Sequence, residues 1–316
     1  MPARSRVLLL IAALVALTSG AALPASGDTT TNSWGLDRID QRALPLDGTY
    51  DPPADGTGVT IYLVDTGLDT NNRQFGGRAS LGINLTGTDV TDCPDEAGVG
   101  HGTFVAGIAG GARTGVAPGA TLVEVQALGC TEGGSTMTLK QERRAVVRAA
   151  GWIRRNAERP AVVNMSLTFG RSAKIDRAVR RLVRSGIPVV AAAGNESANA
   201  CRKSPAHLSS VITVGASTQR DRPWSGSNRG RCLDIWAPGK NITSVLSGGR
   251  VFRYRQVGAT SWATPFVTGA VALYLQDNPQ ASPAEVRRAI RRNATVGALD
   301  RVAGGSPNRL LFVGGG

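Results

Sequence analysis

The chain has 316 residues, of which 41% are hydrophobic and 19% charged, a balance typical of globular proteins and unlike that of disordered chains. Its 40 glycines suit tight turns and close backbone packing rather than a coiled coil. The formal net charge of +13 would suit a protein that binds nucleic acid or an anionic surface, but the arginines are not interleaved with aromatic residues. We therefore interpret the charge as a solvated surface and expect no nucleic-acid partner.

The N-terminus has the pattern of a signal peptide. Arg4 and Arg6 precede an apolar run at residues 7–17, and small residues follow it. This run is too short to span a membrane comfortably, so a membrane anchor is the weaker interpretation and we expect no membrane partner. The pattern predicts a signal peptide over about residues 1–27, a short polar segment over 28–33, and a secreted protein whose net charge is two units lower, +11.

Short apolar runs alternate with amphipathic patterns in the rest of the chain. Five continuous aliphatic and β-branched runs, typical of buried strands, lie at residues 59–64, 122–128, 161–167, 187–193 and 211–214. Helical spacing occurs at residues 146–157 and 175–182, and Ser282, Pro283 and Glu285 mark the start of a further helix. This alternation predicts an α/β fold, with a mostly parallel sheet and helices on both faces, in one domain over residues 34–316.

Two polar residues stand where an acid–base pair would be accessible. Asp65 directly follows the first apolar run, and functional residues gather beyond the carboxyl ends of strands in an open parallel sheet. His101, one of only two histidines, lies between two glycines at a predicted helix start, which suits a general base. A turn aspartate and a structural histidine are the alternatives.

Ser261 and Asn195 complete a possible catalytic set. Ser261 lies near the start of a predicted buried helix, where backbone N–H groups can stabilise an oxyanion, and Asn195 follows a predicted strand. An N-cap serine and a turn asparagine are the alternatives. The order Asp, His, Asn, Ser is that of one known arrangement for nucleophilic serine catalysis, in which a carboxylate orients a histidine that takes the serine proton.

At these positions the chain resembles the subtilisin-like serine proteases, nearest to their proteinase K-like secreted branch. The matching stretches are residues 34–39, 64–67, 75–78, 100–103, 105–107, 164–167, 192–195, 214–217, 260–261, 263–265 and 306–311. The resemblance implies a subtilisin-like three-layer sandwich and a secreted endopeptidase with Asp65, His101 and Ser261 as its triad. It also implies that Asn195 and the Ser261 backbone N–H hold the oxyanion, without a catalytic cofactor.

The resemblance further implies a substrate groove between two edge strands. Its expected residues are Ser166, Leu167 and Thr168 on one strand, Ala192, Ala193 and Gly194 on a pocket wall, and Gly133, Gly134 and Ser135 on the opposing strand. Substrate added between strands is recognised mainly through its backbone, which implies broad specificity for polypeptides. The small walls, without an evident acid at the pocket base, imply apolar or aromatic P1 residues, and we expect the protein to act as a monomer.

Four cysteines in an exported chain favour disulfides, since no CxxC spacing indicates the alternative metal site. Neighbours in sequence, Cys93 with Cys130 and Cys201 with Cys232, form the simplest of three possible pairings, and this is also the pairing that the resemblance implies.

The resemblance also implies structural calcium. Its expected ligands are the Asp234 carboxylate and the carbonyls of Ser209 and Val211, and oxygen ligands of this kind suit calcium.

Four features depart from the family pattern. Only about seven residues separate the predicted signal from Trp34, too few for a folded prodomain, so we expect folding without one or with help in trans. Ala259 replaces a glycine, which would cause strain if φ were positive there. Trp262 replaces a methionine, and Phe104 and Phe266 replace frequent histidines at expected packing positions. The expected lack of a prodomain, together with Ala259 and Trp262, motivates the alternative of a peptide-binding pseudoprotease. A third alternative, a protein that binds polyanions, is motivated by net charge alone.

Overall fold

The computed structural model describes residues 31, 33–88, 92–93, 98–130 and 137–314. The predicted signal peptide and the three residues Gly133, Gly134 and Ser135 lie outside these ranges. The helices are α1 Trp34–Ile39, α2 His101–Gly110, α3 Leu139–Asn156, α4 Ala173–Arg184, α5 Thr260–Asp277 and α6 Pro283–Asn293. The strands are β1 Thr60–Asp65, β2 Ala79–Asn84, β3 Thr121–Gln126, β4 Ala161–Met165, β5 Phe169–Gly170, β6 Val189–Ala192, β7 Lys203–Ser204, β8 Ile212–Ser217, β9 Ile235–Pro238, β10 Thr243–Val245, β11 Val251–Arg253, β12 Thr295–Val296 and β13 Arg309–Leu310.

Nine of these strands form one sheet in the order β12-β13-β9-β8-β6-β4-β1-β3-β2. Neighbouring strands run parallel except for the short antiparallel pair β12 and β13 at one edge. The five apolar runs became β1, β3, β4, β6 and β8, which confirms the predicted α/β class and its mostly parallel sheet. Parallel strands align their carboxyl ends, so the residues after β1, β4 and β6 lie at one edge of the sheet.

Each face of the sheet carries its own hydrophobic core. The side chains of Ile61 and Leu63 in β1 belong to the core that includes α2 and α5. The alternate side chains, Tyr62 and Val64, belong to the second core with α3 and α4. A strand that is covered on both faces buries nearly all of its residues. This explains why the apolar runs noted in the sequence show no polar alternation. The result is the expected sandwich of helices, sheet and helices.

Local sequence signals set the ends of the outer helices. Ser282 accepts a hydrogen bond from the Glu285 N–H, and the Glu285 carboxylate accepts one from the Ser282 N–H, so the predicted capping box is present. Thr138 and Gln141 form an equivalent box at the start of α3, where both free N–H donors would otherwise face solvent.

Disulfides and an ion pair fasten the loops and the N-terminal helix. The disulfides are Cys93–Cys130 and Cys201–Cys232, the pairing of sequence neighbours. Arg38 in α1, whose side chain is 1% exposed, donates to both carboxylate oxygens of Asp221 at 2.8 and 3.0 Å. Within the described ranges, no helix is both long and apolar enough to cross a membrane.

Candidate active site

Asp65 and His101 form an acid–base pair at the carboxyl edge of the sheet. Asp65 ends β1 and is fully buried, and its Oδ1 lies 2.6 Å from Nδ1 of His101. The same oxygen accepts a hydrogen bond from the Thr66 N–H at 2.8 Å. Because a carboxylate can only accept, His101 carries its proton on Nδ1, and Nε2 is left as the basic nitrogen.

Glycine at position 102 brings the start of α2 against the loop after β1. A Cβ on Gly102 would overlap the carbonyl oxygen of Gly67, so no larger residue fits there. The Gly102 N–H donates to the Thr66 hydroxyl at 3.2 Å, which satisfies one free donor of the helix start. The glycine beside His101 is therefore a requirement of packing, and it sets the distance between imidazole and carboxylate.

Two opposing effects act on the pKa of His101. Burial lowers the pKa of the imidazole, whereas the charge of Asp65 and its hydrogen bond raise it, and the net pKa lies above the ordinary value of 6.5. Glu124 in β3 is also buried near this pair, and burial together with the charge of Asp65 raises the pKa of that carboxyl well above its usual range. Burial therefore favours the neutral form of the Glu124 carboxyl.

Ser261 is the second residue of α5 and is 9% exposed. Its hydroxyl donates to the carbonyl oxygen of Ser166, just beyond β4, at 3.1 Å, and the Ser166 hydroxyl donates back to the Ser261 carbonyl at 2.9 Å. The next residue, Trp262, stacks near His101 with ring centroids 5.1 Å apart. The starts of α2 and α5 thus lie close together, and the residue that follows the serine contacts the histidine.

The orientation of the Asn195 amide follows from its partners. Asn195 is exposed beyond β6, and its Oδ1 accepts hydrogen bonds from the Thr260 N–H and hydroxyl, both at 2.8 Å. A backbone N–H can only donate, so the atom facing it is the amide oxygen, and the NH₂ group remains as a donor. Thr260 also accepts a hydrogen bond from the Gly194 N–H at 3.0 Å. Thr260 thus positions the Asn195 amide, a role that its place directly before the serine does not reveal in the sequence.

A pocket of about 430 Å³ opens beside His101 and contains part of the expected substrate groove. Ser166, Leu167 and Thr168 line it, as do several apolar side chains that the sequence analysis did not select: Val99, Leu128, Leu139, Phe169, Tyr254, Val257 and Trp262. One acid, Glu142 in α3, also lines the pocket, where no acid was expected. The pocket is thus mainly apolar and continuous with the proposed catalytic histidine.

Ala192, Ala193 and Gly194 lie at the end of β6 and just beyond it. All three are buried, and among the described residues they are not part of the pocket lining. The Ala193 carbonyl instead accepts a hydrogen bond from the Asn228 side chain at 2.9 Å. The segment therefore anchors the backbone that carries Asn195.

The family departures cause no backbone distortion at the serine. Ala259 has φ −155° and ψ 146°, an extended conformation that any residue adopts, so the strain expected for alanine is absent. Trp262 is 5% exposed and packs edge-on against Phe104 with centroids 4.7 Å apart. Phe104 and Phe266 are fully buried, as expected for packing positions. These contacts give no support to a catalytically impaired chain.

The residues at the expected calcium position do not fit a calcium ion. Oδ1 of the buried Asp234 carboxylate lies 2.5 Å from Nη2 of Arg287 and 3.5 Å from Nε of Arg291. Ser209 lines a pocket together with both arginines, while Val211 is buried. Among the residues that the structure describes, no group of three or more acids, histidines or cysteines could hold a metal. A guanidinium takes the place expected for the cation, because Arg287 neutralises the only carboxylate of the set.

Known proteins with this sequence pattern are serine proteinases. The chain is 43% identical over 290 residues to the alkaline serine exoprotease A of Vibrio alginolyticus, and the match covers 91% of this chain but 51% of that protein. It is 44% identical over 282 residues to an extracellular serine proteinase of Thermus sp. strain Rt41A, with 89% of this chain and 66% of that protein covered. The chain thus spans about half to two thirds of the length of these relatives.

A solved structure agrees with these relatives. The crystal structure of a cold adapted subtilisin-like serine proteinase superposes with a TM-score of 0.81 at 40% identity, covering 90% of this chain and 98% of that one. The sequence profile of the subtilase family matches residues 56–311, which include Asp65, His101, Asn195 and Ser261. The chain belongs to the subtilase family.

Proposed function

We propose that the protein is a secreted serine endopeptidase that hydrolyses peptide bonds through an acyl-enzyme. The observation that carries this proposal is the 2.6 Å contact between buried Asp65 and His101, beside Ser261 at the start of a buried helix. Membership of the subtilase family supports the same chemistry. Two disulfides and a relative named as extracellular support secretion, because disulfides persist in oxidising compartments.

In the first step, His101 takes the proton of Ser261 while the serine oxygen attacks the peptide carbonyl. The hydroxyl, which donates to the Ser166 carbonyl in the free protein, turns towards Nε2 of His101 for this transfer. Asp65 holds the imidazole by Nδ1 and stabilises the imidazolium that forms. Because Asp65 is buried, its charge is little screened by solvent.

The negative oxygen of the tetrahedral intermediate faces donors from two elements. The Ser261 N–H at the start of α5 supplies one, and the Asn195 NH₂ supplies the other while Thr260 fixes its amide oxygen. The imidazolium of His101 then protonates the leaving amine, which departs and leaves an ester on Ser261. Water attacks this ester with His101 again as the base, and the peptide acid and free enzyme are regenerated.

The walls of the pocket beside His101 support a preference for apolar or aromatic substrate side chains. Leucine, valine and aromatic residues supply most of them, and burial of apolar substrate surface favours binding by about 25 cal/mol per Å². The backbone after β4 would pair with an extended polypeptide, so recognition would depend weakly on sequence. A library of peptides that differ at P1 and at the positions before it measures this preference and shows which substrate position carries it.

Hydrolysis of casein by purified protein tests the proposed activity. Ser261→Ala should reduce kcat at least about 10⁴-fold, because no other group supplies the nucleophile. Ser80→Ala, which truncates an exposed serine in β2, is the matched control and should retain full activity. Casein hydrolysis by Ser261→Ala at the wild-type rate would exclude this mechanism.

A further inference from the structure

A second cavity differs from the proposed catalytic cleft in its lining, which is rich in arginine. It has a volume of about 500 Å³ and lies between the outer face of α6, β13 and the loop before β8. We call it the arginine pocket. Its lining consists of Val183, Ser209, Ser210, Pro283, Ala284, Arg287, Arg288, Arg291, Arg292 and Arg309. It shares none of these described residues with the pocket beside His101.

Nearby acids offset only part of this positive charge. Asp234 neutralises Arg287 at 2.5 Å and contacts Arg291 at 3.5 Å. Glu285, one turn away on α6, uses its carboxylate to accept hydrogen bonds from Ser282 at 2.6 and 2.8 Å. Even when both acids are counted against the five arginines, a surplus of three positive charges remains.

Buried donors of the pocket make no hydrogen bond of their own. The Nε atoms of Arg287 and Arg291 are shielded from solvent and neither makes a hydrogen bond among the described residues, although Nε of Arg291 lies 3.5 Å from the Asp234 carboxylate. Burial lowers the pKa of Arg291, Asp234 raises it, and the charges of Arg287 and Arg309 lower it again. Buried donors without acceptors and like charges held together are both unfavourable, and a bound anion would relieve both.

We propose that the arginine pocket is a binding site for an oxyanion of the phosphate or sulfate class with two or more negative charges. The guanidinium group presents paired N–H donors whose geometry matches such oxyanions. The hydroxyls of Ser209 and Ser210 add donors at the rim. A volume of about 500 Å³ accommodates a pyrophosphate or a sulfated sugar as well as a single phosphate.

Occupation of the site would stabilise the fold without taking part in peptide hydrolysis. The anion would connect α6 and β13 to the loop before β8, which lies much earlier in the sequence. A ligand that binds only the folded state raises the midpoint of thermal unfolding with its concentration. The site does not depend on the proposed protease activity, so either proposal can fail without the other.

Isothermal titration of the Ser261→Ala chain in a low-salt buffer tests the site and avoids self-digestion. Inorganic pyrophosphate represents a free phosphate ligand, and a sulfated heparin disaccharide represents a sugar-borne one. We expect saturable binding of at least one of them with a stoichiometry of one, and a matching rise in the unfolding midpoint. Sodium chloride at equal ionic strength should produce neither effect, because it only screens charge.

Substitutions then distinguish the pocket from the basic surface in general. Arg288→Gln and Arg309→Gln should each weaken binding about tenfold or more, because each removes a charge-assisted hydrogen bond while Asp234 keeps Arg287 as its partner. Arg154→Gln, at an exposed arginine near the end of α3, is the matched control and should bind like the parent. Absence of saturable binding for both probes, or an equal loss in Arg154→Gln, would overturn the proposal.

Discussion

Replacing Asn195 by alanine removes the only side-chain donor that we assign to the oxyanion. The structure fixes the amide so that its oxygen faces Thr260 and its NH₂ group is free, and alanine deletes both. The donor acts on charge that develops after serine attack, so the loss should fall on kcat and leave KM nearly unchanged. We expect kcat to fall about 100- to 1000-fold, the size of effect known for such a donor in subtilisin, or roughly 3–4 kcal/mol of transition-state stabilisation.

The same substitution has a separate effect on stability. Thr260 is fully buried, and alanine at position 195 leaves its N–H and hydroxyl without their acceptor. An unsatisfied buried donor costs about 1–3 kcal/mol, so the free energy of unfolding should fall by that order. Measurement of urea unfolding beside kcat therefore separates loss of fold from loss of catalysis.

Thr260→Val tests whether Thr260 acts through Asn195. It removes one of the two hydrogen bonds that hold the amide oxygen, while the backbone N–H bond of 2.8 Å remains. One hydrogen bond contributes about 1 kcal/mol, so we expect kcat to fall about five- to tenfold. In the double variant with Asn195→Ala, valine should cause no further loss, because the donor that it positions is already gone.

A chromogenic peptide with an apolar P1 residue supplies kcat and KM for all four proteins. The reasoning would be refuted if Asn195→Ala kept kcat within about threefold of the parent, since loss of a real oxyanion donor is far larger. It would also be refuted if the two losses multiplied in the double variant, which would make Thr260 independent of Asn195.

Four further predictions concern pH dependence and stability. The value of kcat/KM should rise with pH through an apparent pKa above 6.5, because the neutral imidazole of His101 is the base and its pKa is raised; a midpoint at or below 6.5 would contradict this. The same shift contributes stability below about pH 6.5 that is lost as pH rises through the folded-state pKa, which pH-dependent calorimetry measures. Arg38→Ala should lower the free energy of unfolding by about 3–5 kcal/mol in urea titrations, since it leaves Asp221 without its bidentate partner; a loss typical of surface residues would show that the pair is not needed. Joint replacement of Cys201 and Cys232 by serine should cost about 3–4 kcal/mol, because the bridge closes a loop of 31 residues, and an unchanged unfolding midpoint would show that the bridge adds nothing.

The sequence predicts the interior of the sheet better than its margins. The central strands are covered on both faces, so most of their residues are apolar and form runs that are easily recognised. β2 lies at the edge and includes the exposed residues Ser80 and Leu81, and β9 has only four residues. The exposed residues of β2 interrupt its apolar pattern, so that pattern does not separate the strand from a loop.

In the candidate site, too, some residues are predictable from the sequence and others are not. Asp65, His101 and Ser261 occupy the end of a strand and the starts of two helices, positions that the alternation of elements already defines. The hydrogen bond from Thr260 to Asn195 joins residues 65 positions apart, so only the folded chain reveals it.

The expected calcium position shows why such contacts matter. Asp234 matches the family pattern as an isolated residue, but Arg287, 53 positions later, reaches its carboxylate from α6. The arginines of α6 stand in two adjacent pairs on a helix whose pattern is typical of a solvent-exposed surface. Nothing in their spacing reveals that two of them approach a buried acid. Sequence reasoning therefore identifies the acid and misses its cation.

Labelling with a fluorophosphonate probe, followed by intact mass spectrometry, tests the central claim most directly, because the probe reacts only with an activated serine. We compare the folded parent chain with Ser261→Ala and His101→Ala. The account predicts one adduct on the parent, located at Ser261, and none on either variant. An unlabelled parent that circular dichroism shows to be folded, or an adduct that persists in Ser261→Ala, would contradict the assignment of Asp65, His101 and Ser261 as a working triad.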